Sequence, residues 1–447
     1  MKLFRCLAAV SAAAVCALAL STVAHAGVFQ PTVVSQKPAA YTPDLAPDGV
    51  IGHPASYAVE QGSSLMYVGG QFDAVQNGGV GGVTGPQITR KNFVAFSIST
   101  GEVSTTMAPT FDGNVWAIRY WAGSLYVGGE FTTVNGQSGH RGVVKIDAAT
   151  GAVDPTFRPP WSSGKVYDLQ IVGGRVIVGG TFAGALMALD PVTGANQHYF
   201  DSLQVAGSCV ANPQCGDGGA AASNEPTHVY RFAVSGSKLV AIGNFVAPHP
   251  RAFMVDLGAS SGTLDTWYYP HFADSCSLPK IYPAYLRGVD FDPTGSYFVI
   301  VGTGYVVNGH LDPSNPNVGT DVCDAAAKFT VADKTPAQPV WINYTGGDTL
   351  HSVVVTGAAV YVQGHNRWLD NPFGRDTCTT TCVSRPGIGA LDPATGQALT
   401  WNPTKSRAVG GKDLLSTSQG IWVASDGPNI GKINGDRYHY GIALMPL

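Results

Sequence analysis

Side chains able to move protons or neutralise charge recur down this chain in close-set groups. Lys165 stands near Tyr167, His228 near Tyr230, Tyr285 near Arg287, Asp348 near His351, and Lys412 beside Asp413. Histidine and tyrosine can take or give a proton near neutral pH when their surroundings tune them. Arginine or lysine can neutralise a carboxylate while the neighbouring carbon loses its proton. His228, Tyr230, Tyr285 and Arg287 therefore offer the groups needed for elimination at a uronic-acid sugar, and they are the catalytic candidates if the protein is an enzyme. Lys165, His351, His365, Arg367 and Trp368 are the ligand-binding candidates. Trp368 and Tyr438 could stack on sugar rings while the cations and amides bond to hydroxyls. Hydrolysis would instead need two carboxyl groups across a cleft, for which Asp112, Asp348 and Asp413 are available, and Glu225 is the only Glu expected near the mouth. For any single one of these residues the plainer role is commoner: holding a loop or binding channel water. Their clustering carries the reading.

Other chemistry finds little support. The chain has no H-E-x-x-H zinc helix, no phosphate-binding G-x-x-x-x-G-K loop and no EF-hand loop. Asp312, Asn315, Asn317, Asp321 and Asp324 could offer hard oxygens to calcium, but Pro313 and Pro316 interrupt them and no known ligand spacing is met. No metal site and no cofactor is expected, calcium being the one ion worth considering.

The elements that must position these residues are betrayed by a repeat. It reads YVGGQF at 67–72, YVGGEF at 126–131, IVGGTF at 177–182, VAIGNF at 240–245, IVGTGY at 300–305, YVQGH at 361–365 and WVAS at 422–425. The copies start roughly 50 to 65 residues apart, in the range of propellers and arrays. An alternating strand precedes each copy, such as VWAIR at 115–119 or VYDLQ at 166–170. A tight turn joins the two, as at Gly123-Ser124 and Gly173-Gly174. A third strand follows and ends in an Asp-x-x-Thr-Gly turn at 147–151, 190–194 and 392–396, where the Asp side chain can cap its own backbone. A fourth runs near an aromatic: Phe111, Phe157, Phe200, Trp267, Trp341 or Trp401. Four short strands per unit and seven units predict an all-β, seven-bladed β-propeller.

Composition agrees. Among 447 residues, 56 Gly and 29 Pro with only 13% charged residues exclude long helices, and 10% aromatics exclude disorder. The net charge is −4 and no basic run occurs, so nucleic acid is not an expected partner. Lys2 and Arg5, an apolar stretch over 6–20 and Ala24-His25-Ala26 fit a signal peptide over 1–26 that is cleaved before Gly27. This leaves one propeller domain over 27–447 and no membrane span. Losing Lys2 and Arg5 takes 26 basic residues to 24 against 30 acidic ones, a net charge of −6. Six cysteines then remain, an even number suited to disulfides in an exported protein. Cys209 with Cys215 and Cys378 with Cys382 are the local pairings, which would leave Cys276 to Cys323; other pairings stay open.

The segment YVGGEFTTVNG at 126–136 resembles the delta-sixty-type repeats of secreted bacterial β-propellers. GHNRWLDNPFGRD at 364–376 is similar to the ends of uncharacterised actinobacterial secreted proteins. The resemblance spans nearly all of 27–447 and implies the propeller fold, but these families carry no agreed activity. ALDPATG at 390–396 resembles more weakly the docking repeat of quinoprotein propellers. There Trp401 falls one residue late and adjacent cysteines are absent, so no quinone is expected.

Within that fold, residues 441–447 match the third strand of a unit and the last blade lacks its fourth. Residues 30–37 are expected to pair beside them and complete the last blade. Strands alternate in direction, so the long loops and the blade-to-blade connections share one face, here called the top. All six cysteines fall in those segments. Binding an extracellular polysaccharide or protein through this face is the leading functional reading for what is expected to be a secreted monomer. The alternative is a polysaccharide lyase or glycoside hydrolase acting at the central funnel; a purely structural envelope module is the third class.

Overall fold

The Val-Gly-Gly repeat sets the spacing between neighbouring sheets. A Cβ on Gly69 would stand 2.2 Å from Cγ1 of Val115, and one on Gly128 or on Gly179 would stand 2.8 Å from Cγ1 of Val166 or of Val229. Each of those valines is the first or second residue of the inner strand of the next sheet, so the first glycine makes room for the following blade. The second glycine faces its own sheet. A Cβ on Gly70, Gly129, Gly180 or Gly364 would meet the carbonyl oxygen of Ala55, Asn114, Lys165 or Thr349 at 1.9 to 2.2 Å. No side chain fits against a backbone carbonyl at that range.

The computed structural model of the protein describes residues 27–46, 53–78, 84–211, 215, 225–279, 281–314, 317–378, 381–426, 430–432 and 438–447. The signal-peptide reading of 1–26 lies outside them, as does Asn315. Among the described residues no α-helix occurs, and no helix is long and apolar enough to cross a membrane.

Among the described residues, seven antiparallel sheets of one pattern follow one another along the chain. Their inner strands are Ala55–Gln61, Val115–Trp121, Val166–Val172, His228–Ser235, Leu286–Phe291, Leu350–Val355 and Asp413–Thr417. Each inner strand pairs with the repeat strand, and the repeat strand pairs with a third. Full fourth strands occur in the fourth sheet, Gly262–Leu264, and the fifth, Trp341–Tyr344. In four others the outer strand shrinks to one bridge: Phe96 to Val103, Ile146 to Val153, Leu189 to Asn196 and Leu391 to Ala398. The Asp-x-x-Thr-Gly turns form as the sequence predicts. Asp147 Oδ1 accepts the N–H groups of Ala149 and Thr150, and Gly151 takes φ +74°. The core lies between sheets, where Trp267 packs edge-on against Phe298 and Phe329. The protein is an all-β propeller.

Inner strands have a free edge, and the sequence covers it with carboxylates. Glu60 accepts the N–H of Tyr120 in the second sheet at 2.9 Å, and Asp168 that of Phe232 in the fourth at 2.9 Å. Asp290 accepts the N–H of Val355 in the sixth at 2.7 Å, and Asp413 that of Val59 in the first at 3.0 Å. Each carboxyl group thus staples its sheet to the next, and the last staple joins the seventh sheet to the first.

The N-terminal segment reaches the expected place in a different form. The Ser35 N–H donates to Pro446 O at 2.7 Å and the Ala39 N–H to Leu444 O at 2.8 Å, beside the strand Ile442–Pro446. Residues 30–37 nevertheless make no regular strand. Pro31 and Pro38 lack the N–H that a ladder needs. The segment is fixed by side chains instead: Tyr361 Oη accepts the Val34 N–H, and Trp401 Nε1 donates to Ser35 O. The three disulfides join Cys209 to Cys215, Cys276 to Cys323 and Cys378 to Cys382.

Candidate functional site

On six inner strands the pairing slips by one residue at the top, opposite the glycine pair in the first three sheets and opposite a single glycine in the fourth, fifth and sixth. The residue that each bulge sets apart is Tyr57, Trp116, Tyr167, Tyr230, Arg287 or His351. In the seventh sheet Lys412 holds the equivalent place, its N–H bonding to Ala424 O while Asp413 pairs with the same residue. Bulges re-aim side chains, and here they bring one residue from every sheet to the mouth of the channel.

These seven residues form a belt. Tyr57 stacks on Trp116 with centroids 4.3 Å apart, and Trp116 meets Tyr167 edge-on at 5.9 Å. Tyr167 lies 5.4 Å from Tyr230, and the Arg287 guanidinium sits 4.9 Å above the Tyr230 ring. Arg287, His351 and Lys412 line one cavity together on the other side. One side of the mouth is therefore aromatic and the other is built of nitrogen groups. Arg231 crosses beneath it, from the fourth sheet to the carbonyls of Tyr57 and Lys412. Below lies a charged layer in which Arg119 and Arg231 stand 3.7 Å and 3.6 Å from Asp168. The belt thus has a floor, and the space below it is a cavity of about 100 Å³.

Three polar atoms on the belt are buried and unmatched by any described residue: Trp116 Nε1, Arg287 Nε and His351 Nδ1. The first two are donors. His351 Nε2 lies 3.1 Å from Val409 O and must carry the proton, because a carbonyl only accepts; Nδ1 is left as an acceptor. Burial, with Lys412 and Arg287 nearby, pushes His351 well below the usual imidazole range, so it is neutral at pH 7. Tyr230 shows the opposite balance. Burial raises its phenol, but Arg287, Lys412 and Arg231 outweigh that and hold it below its ordinary value. His228, buried beside Tyr167, is pushed down by burial, and its Nδ1 donates to Pro226 O at 2.9 Å.

Beside the belt, between the fifth and sixth sheets, a second cavity of about 380 Å³ opens over Arg287 and His351. Tyr282, Tyr285, Tyr305 and His365 share its lining. The Arg287 guanidinium also lies 4.2 Å from the centre of the Tyr285 ring.

Of the residues singled out in the sequence, His228, Tyr230, Tyr285, Arg287, His351 and His365 come together here. His365 Nδ1 donates to Ala408 O, which fixes its ring. Three other candidates have local partners in the fold. Lys165 forms an ion pair with Glu130 at 2.5 Å. Arg367 is gripped by Asp348, with Nε at 2.8 Å and Nη2 at 2.9 Å, and also by Asp376. Trp368 packs under the Arg367 guanidinium in a short hairpin with Val383–Ser384. The two cations thus each have a carboxylate partner within the protein. The side chain of Tyr438 lies outside the described residues. The hydrolytic carboxylates are occupied too: Asp112 caps Thr132 and Thr133, Asp348 binds Arg367 and Arg407, and Asp413 is a staple. A G-x-S-x-G string at 258–262 joins the third and outer strands of the fourth sheet, so it is no strand-to-helix nucleophile turn.

Tyr57 and Trp116 were not among the sequence candidates. A usable signal exists: in the first three sheets the bulged residue keeps a fixed distance from the glycine pair, 57 to 69, 116 to 128 and 167 to 179.

No family model matches the chain, and no curated protein aligns with it. Among solved structures it is similar to the computationally designed Ika8 protein, at 11% identity and TM-score 0.45, covering 92% of this chain and 100% of that one. It is similar to BamB from Moraxella catarrhalis, at 11% identity and TM-score 0.42, covering 86% of this chain and 92% of that one. The WD40 β-propeller domain of Doa1 aligns at 10% identity and TM-score 0.43, covering 87% and 93%. Likenesses this distant carry nothing about function.

Proposed function

We propose that the belt binds an anionic extracellular sugar, a uronic-acid glycan being the class it suits best. The observation that carries this is the division of one mouth into an aromatic half and a half of nitrogen groups, with three buried polar atoms unmatched. Sugar rings present an apolar face that packs on aromatics, and their hydroxyls can satisfy donors and acceptors that are costly to leave unmet. Arg287 and Lys412 form no ion pair with a described carboxylate and are available to a ligand's charge. Secretion, read from residues 1–26 and agreeing with three disulfides, would place the protein where such glycans occur.

A second reading is favoured by Tyr230. A phenol held below its ordinary value between Arg287 and Lys412 is suited to take the proton beside a uronate carboxylate, while Arg287 neutralises that carboxylate. This is β-elimination, and it produces an unsaturated sugar that absorbs in the ultraviolet. A glycan array followed by an absorbance screen of the hits separates the two readings. Binding of uronic-acid glycans without absorbing products supports a binding protein; absorbing products that Tyr230→Phe abolishes support a lyase. An array with no acidic glycan among its hits overturns both.

A further inference from the structure

Below the belt, four carboxyl groups lie along the channel wall: Glu60, Asp168, Asp290 and Asp413. Arg119 stands 3.8 Å from Glu60, both Arg119 and Arg231 approach Asp168, and the same two arginines act on Asp413. Asp290 has no cation among the described residues. Its Oδ2 accepts the Val355 N–H, and the charges it feels, from Asp292 and Asp413, have its own sign.

The chain end expected from signal cleavage lies beside this carboxyl group. A Cβ on Gly27 would stand 3.3 Å from Asp290 Oδ2 and 2.1 Å from Val355 O, so the place admits no larger residue. The residues that follow are fixed. The Val28 N–H donates to Ser416 Oγ at 2.8 Å, and Gln30 Nε2 donates to Thr417 O at 2.9 Å. Gly27 and Val28 line the same cavity as the four carboxyl groups.

We propose that cleavage after Ala26 makes the Gly27 amine the counter-ion of Asp290, so that maturation completes the charge balance of the channel and seals its lower end. A leader peptidase adds water across the Ala26–Gly27 bond. Ala26 leaves with the new carboxylate, and Gly27 keeps the nitrogen, which takes up a proton. With that bond intact the nitrogen is an uncharged amide, and burial pushes the Asp290 carboxyl up to about 8. After cleavage an ammonium stands where the carboxylate lacks a partner, and an opposite charge at close range favours both ionised forms. The proposal rests on the leader reading of residues 1–26 and is independent of the ligand.

The full chain is expressed in a bacterial host that exports it, and the mature protein is analysed by intact mass and by acylation of its α-amine at neutral pH. The mass should place the start at Gly27. The amine should react at least tenfold more slowly in the folded protein than in urea-unfolded protein, and Asp290→Asn should remove most of that protection. A second series inserts one alanine before Gly27, so that the mature chain begins one residue early. The insertion should lower the thermal midpoint with Asp290 present and leave it unchanged in Asp290→Asn. A start elsewhere, an amine equally reactive folded and unfolded, or an equal cost of the inserted alanine in both backgrounds would overturn the proposal.

Discussion

Two residues on the belt carry most of the chemistry. Arg287 contacts the rings of both Tyr230 and Tyr285 and has an unmatched Nε, so it organises the nitrogen side of the mouth. Tyr230 reports on it. The phenol should ionise below the value of free tyrosine in a 295 nm titration, and Arg287→Ala should move that step to higher pH because the largest favourable charge is removed. An unmoved step would show that Arg287 does not act on Tyr230. Glu60 gives a pH signature of the opposite kind. Burial pushes it up from 4.5 to about 7 against the pull of Arg119. The folded protein therefore holds a proton that the unfolded chain releases between those values. Stability from this group is full below 4.5 and falls as pH rises through about 7. Glu60→Gln should flatten the stability curve across that window, as read by denaturant unfolding at several pH values; an unchanged slope would contradict the assignment.

At the scale of strands and turns, the glycine pair explains both packing and function. In the first three sheets it admits the next sheet on one side and lies opposite the inner-strand bulge on the other; the bulge recurs over a single glycine in the next three and places the belt. Gly129→Ala would drive a methyl into the Asn114 carbonyl, 2.2 Å away, and should cost roughly 1–3 kcal/mol in thermal unfolding. The staples act between sheets. Asp413→Ala leaves the Val59 N–H without its acceptor at the junction of the last and first sheets, for an expected loss of about 1–3 kcal/mol by denaturant titration. The strands were legible because the glycine-containing repeat and the Asp-x-x-Thr-Gly turn each mark a fixed place in the unit. The belt was half legible. Strict alternation directs attention to residues such as Lys165 at the strand starts, whereas a one-residue slip turns Tyr57 and Trp116 into the mouth. That Asp348 and Asp376 fold back onto the Arg367 guanidinium was not legible, because the three residues are spread over 348–376 with no pattern that pairs them.

Across the whole molecule, the first and last described segments meet. Residues 27–39 run under and beside the seventh sheet, and Asp44–Ala46 pairs with Ala74–Asn77 next to the first. Removing residues 28–37 deletes the contacts of Val28, Gln30, Val34 and Ser35 with the sixth and seventh sheets. It should lower the thermal midpoint of the entire protein in one transition rather than melt one sheet; an unchanged midpoint would remove the segment from the account of stability. The chain expected after cleavage carries excess negative charge, while Arg287 and Lys412 face the mouth, so an anionic ligand would be drawn to one place on an acidic body.

The most direct test of that claim is calorimetry of wild type, Arg287→Ala and Trp116→Ala with the acidic oligosaccharide that ranks first on the array, repeated over a salt series. Arg287→Ala should weaken binding by roughly 10- to 100-fold and make it less sensitive to salt. Trp116→Ala should weaken it by about 2- to 10-fold with the salt dependence unchanged, since stacking carries no net charge. Wild-type affinity and wild-type salt dependence in both variants would place the ligand somewhere other than the belt.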